Sequence, residues 1–189
     1  MLRSAKYIEE HNIIHDDVNS FKKGKGAQVG FDLSVKNIWK IVTPGFVSKT
    51  KTHVPPYLLM KSDDVIYPYA EGGSIWFKGW RLDRGTYILE CNEGVHFGPN
   101  DTGYIIMRSS LNRTGASIQS AVWDPGFTTQ DDEKVNTITI RLTVDTDEGF
   151  YLEQDARVAQ LLVMENEDTV GYGTTGESQF QGGRRQSSK

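Results

Sequence analysis

The chain has 189 residues, 37% of them hydrophobic and 24% charged, which is typical of one globular domain and not of a disordered or membrane-spanning chain. Its formal net charge of -4 argues against a surface that tracks long nucleic acid, so any phosphate that it binds should be small and locally enclosed. Cys91 is the only cysteine, which excludes a disulfide framework within the chain and the thiolate zinc site of zinc-dependent deaminases, and indicates a reducing compartment.

The N-terminal segment predicts a short amphipathic helix over residues 2–14, where apolar residues recur at helical spacing and Ser4 is a candidate N-cap. The chain's start leads into no apolar stretch, and no apolar run approaches about 18 residues, so we expect a cytoplasmic protein that contacts no membrane. The basic glycine loop at 22–26 could contact phosphate, but a solvated turn explains it better and we assign it no role.

The following segments predict a mainly β fold. Short runs rich in Val, Ile, Thr and Tyr, separated by many of the 19 glycines, favour strands joined by tight turns. Prolines interrupt 43–73, which should form hairpins and loops at the edge of the body, and the role of 45–80 stays open. Strands are predicted at 29–42, 74–80, 86–91, 103–107, 137–144 and 157–164.

Strands at this spacing indicate one domain over residues 1–170, built as a barrel or jelly roll. The remaining segment, 171–189, is rich in Gly, Ser, Gln and Arg and has almost nothing to bury. We expect it to be a mobile C-terminal lid.

Two polar motifs follow predicted strands in the second half of the chain. Residues 108–115, Arg-Ser-Ser-Leu-Asn-Arg-Thr-Gly, combine hydroxyl and guanidinium groups that bind phosphate oxygens, although a surface turn with a helix cap has a similar composition. Residues 121–127, Ala-Val-Trp-Asp-Pro-Gly-Phe, hold Asp124 directly before a Pro-Gly turn. A carboxylate there could act as a general base toward water, whereas an Asp in this position taken alone is more often a turn former.

Two further features are ambiguous when taken alone. Asp32 is a lone carboxylate in a strand pattern, and an inward-facing strand carboxylate must be paired, hydrogen-bonded or linked to a metal ion. Residues 171–176, Gly-Tyr-Gly-Thr-Thr-Gly, offer backbone N–H groups, two hydroxyls and an aromatic ring. They suit either a phosphate-binding nest with a stacking lid or a flexible linker.

Together and in this order, these segments resemble the motifs of the dUTPase and dCTP deaminase superfamily. The resemblance covers about residues 26 to 183, and the N-terminal helix, the long stretch between the first two motifs and the tail at 179–185 look more like the deaminase branch. The motifs are Gly-Phe-Asp-Leu at 30–33, the segments 108–115 and 121–127, Asp-Ala-Arg-Val-Ala-Gln-Leu at 155–161, and the glycine-rich 171–176 that is similar to the fifth motif of dUTPases.

The resemblance implies a distorted β-barrel or jelly roll that assembles as a homotrimer, with each active site shared between subunits. It implies that Arg108, Ser109, Ser110 and Gln160 hold the triphosphate of dUTP, and that Asp32 helps to hold Mg²⁺ through water. Nucleic acid and membranes are not expected partners.

The resemblance also assigns the chemistry, the base and the lid. Asp124 would deprotonate the water that attacks the α-phosphorus, with Arg113 as the second catalytic residue, releasing dUMP and pyrophosphate. The backbone of 118–122 would read the pyrimidine, and the lid would exclude bulk water. The residues so implied are Ser120 and Val122 for the base, Phe127 under the deoxyribose, Tyr172 over the base, and Thr174 and Thr175 on the phosphates.

The sequence favours a dUTP diphosphatase over a dCTP deaminase. In the deaminase branch a glutamate on the strand after the third motif activates water, and the matching position here is Arg141, a cation that cannot accept the proton. The turn at 128–136 is longer and more acidic than usual in the family and contains Glu133, so a shifted register would restore a carboxylate. Deamination of dCTP, alone or combined with the diphosphatase step, is therefore the alternative.

A nucleotide-binding regulator is a third interpretation, but Asp32, Asp124 and Gln160 are all retained, which favours an active enzyme. The fifth motif departs from the family in one respect. Residues 168–170 stand where an arginine commonly precedes the glycines, and Arg184 or Arg185 are the candidate substitutes.

Overall fold

The computed structural model describes residues 1–15, 29–69, 72–127, 130–131, 134–135 and 137–166. The predicted basic loop at 22–26, Glu133 and the whole lid with its residues Tyr172, Thr174 and Thr175 lie outside the described residues, as do Arg184 and Arg185.

Most of the described residues form short antiparallel strands. Helical structure there consists of α1 (Ala5–Glu10) and a 3-10 helix (Leu111–Arg113). The strands are β1 (Ile14–His15), β2 (Phe31–Ile41), β3 (Phe46–Val47), β4 (Thr52–His53), β5 (Tyr57–Met60), β6 (Asp63–Pro68), β7 (Ser74–Leu82), β8 (Gly85–Cys91), β9 (Gly94–Val95), β10 (Asp101–Met107), β11 (Ala116–Gln119), β12 (Val122–Trp123), β13 (Gln130–Asp131), β14 (Lys134–Val135), β15 (Thr139–Val144), β16 (Phe150–Glu153) and β17 (Arg157–Glu165).

An eight-stranded sheet forms the body of the fold. Its strand order is β11-β15-β8-β2-β17-β10-β12, with β5 pairing the far half of β2. The two ends of this order, β11 and β12, are joined in the chain by Ser120 and Ala121 alone. Because so short a link holds the two edges close together, the sheet must curl on itself. This half-barrel agrees with the mainly β fold predicted from the sequence.

The core lies on one face of the curled sheet. On β2, Phe31, Leu33 and Val35 are fully buried, and β17 contributes Leu161 and Val163 to the same cluster. Burial of each such side chain stabilises the fold by about 2 kcal/mol. The alternation leaves the intervening residues of both strands for the opposite face, where the polar side chains of the site lie.

The N-terminal helix is shorter than predicted. It begins after Ser4, whose hydroxyl accepts a hydrogen bond from the Tyr7 N–H at 3.2 Å, as expected for an N-cap. Leu2 forms an isolated β-bridge with Met164 instead of a helical turn. After the helix, Asn12 adopts a φ of 49°, which ends the helical path. Both ends of 2–14 therefore make strand contacts: Leu2 with Met164, where it stays exposed, and Ile14 with Val95 of β9.

The proline-interrupted stretch 43–73 forms hairpins at the edge of the body, as predicted. β3 pairs β4, and β6 pairs β7 in a three-stranded sheet completed by β16. β16, whose four residues pair with β7, was not predicted from the sequence. This edge carries exposed apolar side chains, among them Phe46, Val47, Ile66 and Trp76.

Candidate active site

Three polar side chains meet at Asp32 on β2: two come from β17, and one comes from the residue that follows β10. The side chain of Asp32 on β2 is 4% exposed, and its two carboxylate oxygens face different partners. Arg157 Nη1 donates to Oδ2 at 2.9 Å, and Gln160 Nε2 donates to Oδ1 at 3.1 Å. Arg108 Nε lies 3.4 Å from Oδ1. The structure therefore brings together three residues singled out from the sequence and adds Arg157.

A β-bulge in β17 creates this cluster. Gln160 pairs with Asp32 and Ala159 with Leu33, but the next pair joins Arg157 to Ser34, so Val158 is an extra residue. Val158 and Ala159 are both buried, whereas a regular strand would point one of them outward. The bulge shifts by one residue which side chains point to each face of the sheet. Arg157 and Gln160, three residues apart, consequently reach the same carboxylate.

The bulge also orients Arg108, which follows the last residue of β10. The Arg108 N–H donates to the carbonyl of Val158 at 3.2 Å, and its Nη1 donates to the carbonyl of Arg157 at 3.4 Å. Arg108 and Arg157 keep 27% and 36% of their side chains exposed, respectively. Two guanidinium groups thus share one buried carboxylate and present a positive surface to solvent.

The segment after Arg108 turns sharply. The Arg108 carbonyl accepts a hydrogen bond from the Leu111 N–H at 3.0 Å, and the 3-10 helix Leu111–Arg113 follows. Ser109 and Ser110 are exposed at this turn, next to the arginine cluster in the chain. Their position suits the predicted phosphate binding.

Arg113, predicted as catalytic, lines an open cavity of about 670 Å³. The same cavity is lined by Tyr67 and Tyr151 of the three-stranded sheet and by Tyr69, which follows β6. None of the hydrogen bonds or ion pairs found among the described residues joins Arg113 to Asp32 or Arg108.

Asp124 lies exposed on a tight turn. Its carbonyl accepts the Phe127 N–H at 3.1 Å, and Gly126 has a φ of 75°, which is the conformation that the glycine of a Pro-Gly type II turn adopts. The Gly126 N–H donates to the carbonyl of Gly98 at 3.0 Å, which anchors the turn to the loop before β10. The carboxylate therefore sits on a fixed backbone at the surface.

The neighbouring aromatic side chains support this turn. Phe127, predicted to stack under the deoxyribose, is only 7% exposed, and its ring meets that of Trp123 edge-on at 4.8 Å. Any ligand could contact only the rim of the Phe127 ring. Its main role within one chain is to pack the turn against the core.

Asp124 and the arginine cluster lie near opposite ends of β10. β12 pairs Trp123 with Gly103, so Asp124 follows beside the start of β10, whereas Arg108 follows its end. At a rise of about 3.4 Å per residue, the two backbones are roughly 20 Å apart, which is beyond the reach of the side chains. One chain by itself does not bring the predicted base to the predicted phosphate site.

The segment predicted to read the pyrimidine is exposed. Gln119, Ser120 and Val122 are exposed, and the Ser120 hydroxyl accepts a hydrogen bond from Trp123 Nε1 at 3.1 Å. Arg141 pairs with Gln119 across β15 and β11, and its Nη2 donates to the Gln119 Oε1. The pairing of β15 with β11 and β8 runs in one register along its length. Arg141 therefore keeps its position beside the predicted base-reading segment.

The described side chains do not fit a protein-held metal ion. They include no group of three or more His, Cys, Asp or Glu residues that could bind one. Asp32, the predicted outer ligand, is contacted by two cations and an amide donor, which oppose a divalent cation in the same place. The prediction that Asp32 reaches Mg²⁺ through water is untested, but the geometry gives its carboxylate other partners.

Sequence reasoning did not assign a role to Arg157, although the residue lies inside the fourth motif. In a regular strand, residues 157 and 160 point to opposite faces, so the spacing argued against a shared site. The signal that could have found it is the pair of adjacent apolar residues, Val158 and Ala159, between two polar ones, because such a break in alternation indicates a bulge.

In the part of the chain that the structure describes, no helix has the length and apolar character needed to cross a membrane.

The sequence profile of the dCTP deaminase-like family matches residues 3–166. The chain is 30% identical over 165 residues to a protein of Aeropyrum pernix named probable deoxyuridine 5'-triphosphate nucleotidohydrolase, a match that covers 87% of the chain and 91% of that protein. It is 31% identical over 152 residues to the deoxyuridine 5'-triphosphate nucleotidohydrolase of Methanocaldococcus jannaschii, covering 76% and 81%.

A solved structure also resembles the fold. The 2'-deoxycytidine 5'-triphosphate deaminase of Agrobacterium tumefaciens matches with a TM-score of 0.54 at 9% identity, over 86% of this chain and 47% of that one. At this identity the likeness establishes the fold alone. With its family profile, its archaeal relatives and its ordered motifs in agreement, the chain belongs to the dCTP deaminase-like family.

Proposed function

We propose that the protein is a dUTP diphosphatase, which hydrolyses dUTP to dUMP and pyrophosphate. The observation that carries this proposal is the cluster of Arg108, Arg157 and Gln160 around Asp32, a half-exposed cationic site at the junction of three strands. Guanidinium groups bind phosphate oxygens through paired, charge-assisted hydrogen bonds. The names of the relatives from Aeropyrum pernix and Methanocaldococcus jannaschii support the same substrate.

The triphosphate would bind at this cluster. Arg108 and Gln160 hold phosphate oxygens, and the exposed hydroxyls of Ser109 and Ser110 donate to the same group. The described side chains do not form a metal site of their own, so Mg²⁺ would accompany the nucleotide and neutralise part of the triphosphate charge.

Asp124 would supply the general base. Its carboxylate takes a proton from water as the water oxygen bonds to the α-phosphorus. The bond between that phosphorus and the oxygen bridging to the β-phosphate breaks, and pyrophosphate leaves with this oxygen. Arg113 is the second catalytic residue of this proposal, as a cation that stabilises the charge of the transition state.

A homotrimer with active sites shared between subunits would complete the site. Because Asp124 and Arg108 follow opposite ends of β10, the base of one subunit must act on a triphosphate held by another. A closed cyclic assembly repeats such a contact at every interface. This arrangement makes the isolated chain inactive.

The proposed site also includes contacts with the pyrimidine base, the deoxyribose and the C-terminal lid. The backbone of 118–122, with Ser120 and Val122, reads uracil, and the rim of Phe127 meets the deoxyribose. Arg141, beside this segment, offers hydrogen-bond donors and no proton acceptor, which opposes deamination. The lid, residues 171–189, closes over the nucleotide through Tyr172, Thr174 and Thr175. The single cysteine favours a reducing compartment, and we place the protein in the cytoplasm.

The test is to incubate the purified protein with Mg²⁺ and either dUTP or dCTP, and to measure nucleotide products, pyrophosphate and ammonia. We expect dUMP and pyrophosphate from dUTP, and no ammonia from dCTP. Ammonia from dCTP would replace the proposal with a deaminase, and absence of turnover with both substrates would reject the diphosphatase.

A further inference from the structure

The carboxylate of Asp32 is almost completely buried, and its charge needs compensation in that environment. It lies on β2 between Phe31 and Leu33, both fully buried, with 4% of its own side chain exposed. An unpaired buried charge costs several kcal/mol, so the contacts with Arg108, Arg157 and Gln160 together compensate the Asp32 carboxylate whether or not a ligand is bound.

The charge balance of the cluster favours an anion over a metal ion. In the described part of the chain two guanidinium groups face this one carboxylate, so positive charge exceeds negative charge among these three groups. Each guanidinium has five N–H donors, of which the contacts with Asp32 and the Arg157 carbonyl use only a part. The remaining donors of both arginines can reach solvent, because 27% of Arg108 and 36% of Arg157 are exposed.

The backbone is built to bring these groups to the carboxylate. In a regular strand Arg157, three residues from Gln160, would point to the other face of the sheet. The bulge at Val158 brings both side chains to the same face. The Val158 carbonyl accepts a hydrogen bond from the backbone N–H of Arg108 at 3.2 Å, so one bulge orients both arginines. Bulges that re-aim a side chain are typical of sites with a specific ligand.

We propose that Asp32 is a positioning residue for the triphosphate and that Arg157 is a further phosphate-binding residue. Asp32 holds Arg108, Arg157 and Gln160 in the orientation that contacts phosphate oxygens, and it does not bind the metal ion that accompanies the nucleotide. This inference rests on the proposed function for the identity of the nucleotide, but the anion site itself does not depend on the base.

The central experiment measures ligand binding to full-length Asp32→Asn protein by calorimetry. The probes are inorganic tripolyphosphate and the non-hydrolysable α,β-imido analogue of dUTP, each in EDTA and in Mg²⁺. Loss of a charged hydrogen-bond network should weaken binding of both probes about tenfold or more, and to the same extent with and without Mg²⁺. In the wild-type and variant enzymes, the Mg²⁺ concentration at half-maximal activity should agree within about twofold, because Asp32 acts through the arginines.

A metal-binding role predicts the opposite pattern. If the variant binds both probes normally in EDTA but loses affinity in Mg²⁺, or if its half-maximal Mg²⁺ concentration rises about tenfold, the positioning role is wrong. The conservative Asp32→Glu variant serves as a rescue test. A longer carboxylate keeps the charge, and it should recover part of the affinity for tripolyphosphate.

Arg157→Gln keeps the inference testable if substitution of the buried Asp32 prevents folding. Arg157 is partly exposed, so its loss should leave the protein folded while weakening tripolyphosphate binding about tenfold. Lys40→Gln is the matched control, an exposed cation on the far half of β2 that should bind the probe as the wild type does. Unchanged binding by Arg157→Gln would overturn the proposal.

The tripolyphosphate probe separates this inference from the proposed function. If the wild-type protein binds tripolyphosphate through Arg157 but does not bind the dUTP analogue, the anion site stands and the proposed substrate fails. If the wild-type protein hydrolyses dUTP while Arg157→Gln and Asp32→Asn bind both probes normally, the diphosphatase stands and this inference fails.

Discussion

Asp124 and Arg108 lie beside opposite ends of the same strand, β10, roughly 20 Å apart at the usual rise per residue. Asp124 sits on a turn anchored to Gly98, and Arg108 is anchored by the carbonyl of Val158. Since both are tied to the rigid sheet, no rearrangement of side chains within one chain can bring them together. An active site that uses both residues must therefore take them from two subunits.

Two inactive variants should restore each other's activity when mixed. Asp124→Asn removes the proposed base and Arg108→Gln removes a proposed phosphate contact, so each variant alone should be inactive. If every active site takes Asp124 from one subunit and Arg108 from another, co-refolding equal amounts should return about a quarter of wild-type activity. The measurement is dUMP formation after refolding together and, as a control, after mixing the folded proteins. No recovery after co-refolding would mean that each chain supplies both residues.

Asp124→Asn by itself should separate binding from turnover. The amide keeps the shape of the side chain but cannot accept the proton, so turnover should fall by several orders of magnitude while the dUTP analogue binds nearly as well. Product formation and calorimetry measure the two effects. Asp64→Asn, on the exposed edge strand β6, is the matched control. Retained turnover in Asp124→Asn would exclude this residue as the base.

Features of the site that depend on local sequence were predictable, and features that depend on pairing between distant strands were not. The need of Asp32 for a partner follows from a carboxylate in an apolar strand, and the Ser4 N-cap follows from its local sequence. The role of Arg157 did not follow, because it depends on a bulge that becomes visible only in the register between β17 and β2. The separation of Asp124 from Arg108 is likewise a property of strand pairing, which motif order does not encode.

The fold shows the same division. Strands predicted from apolar runs of strand length, such as β8 and β17, were found within a few residues of their observed bounds. β16 was missed because its four residues acquire their strand partner only from β7, more than sixty residues earlier in the chain. The predicted helix over 2–14 was too long for a related reason, since Leu2 pairs with Met164 at the other end of the chain.

Deletion of residues 171–189 should leave a folded protein of unchanged assembly with little activity. The segment is rich in Gly, Ser, Gln and Arg and has few side chains that could add to a core, whereas the proposal gives it contacts with the base and phosphates. Size-exclusion chromatography with light scattering, thermal unfolding and dUMP formation measure the three properties. A truncated protein that loses its assembly, or one that keeps full activity, would contradict the role of the lid.

The thiol of Cys91 should be unreactive in the native protein. Its side chain is completely buried in the core, and desolvation, followed by the charges of Glu93 and Glu90, raises the pKa of the thiol well above its ordinary value. Because the thiolate is the reactive form, a disulfide reagent such as Ellman's reagent should modify Cys91 only as fast as the protein unfolds. Modification within seconds under native conditions would show that the thiol is accessible.

The same pKa shift makes stability depend on pH in a defined direction. Below about pH 8.5 the thiol is protonated in both the folded and the unfolded chain, so it contributes no pH dependence there. Above that pH the unfolded chain loses the proton and the folded chain keeps it, so the free energy of unfolding falls by up to about 1.4 kcal/mol per pH unit until the folded-state pKa is reached. Urea unfolding at pH 7 and pH 9.5 measures this fall, and Cys91→Ala, which lacks the thiol, gives the contribution of all other groups. If the wild type and Cys91→Ala lose the same stability over this range, Cys91 does not have the raised pKa that its burial beside two carboxylates requires.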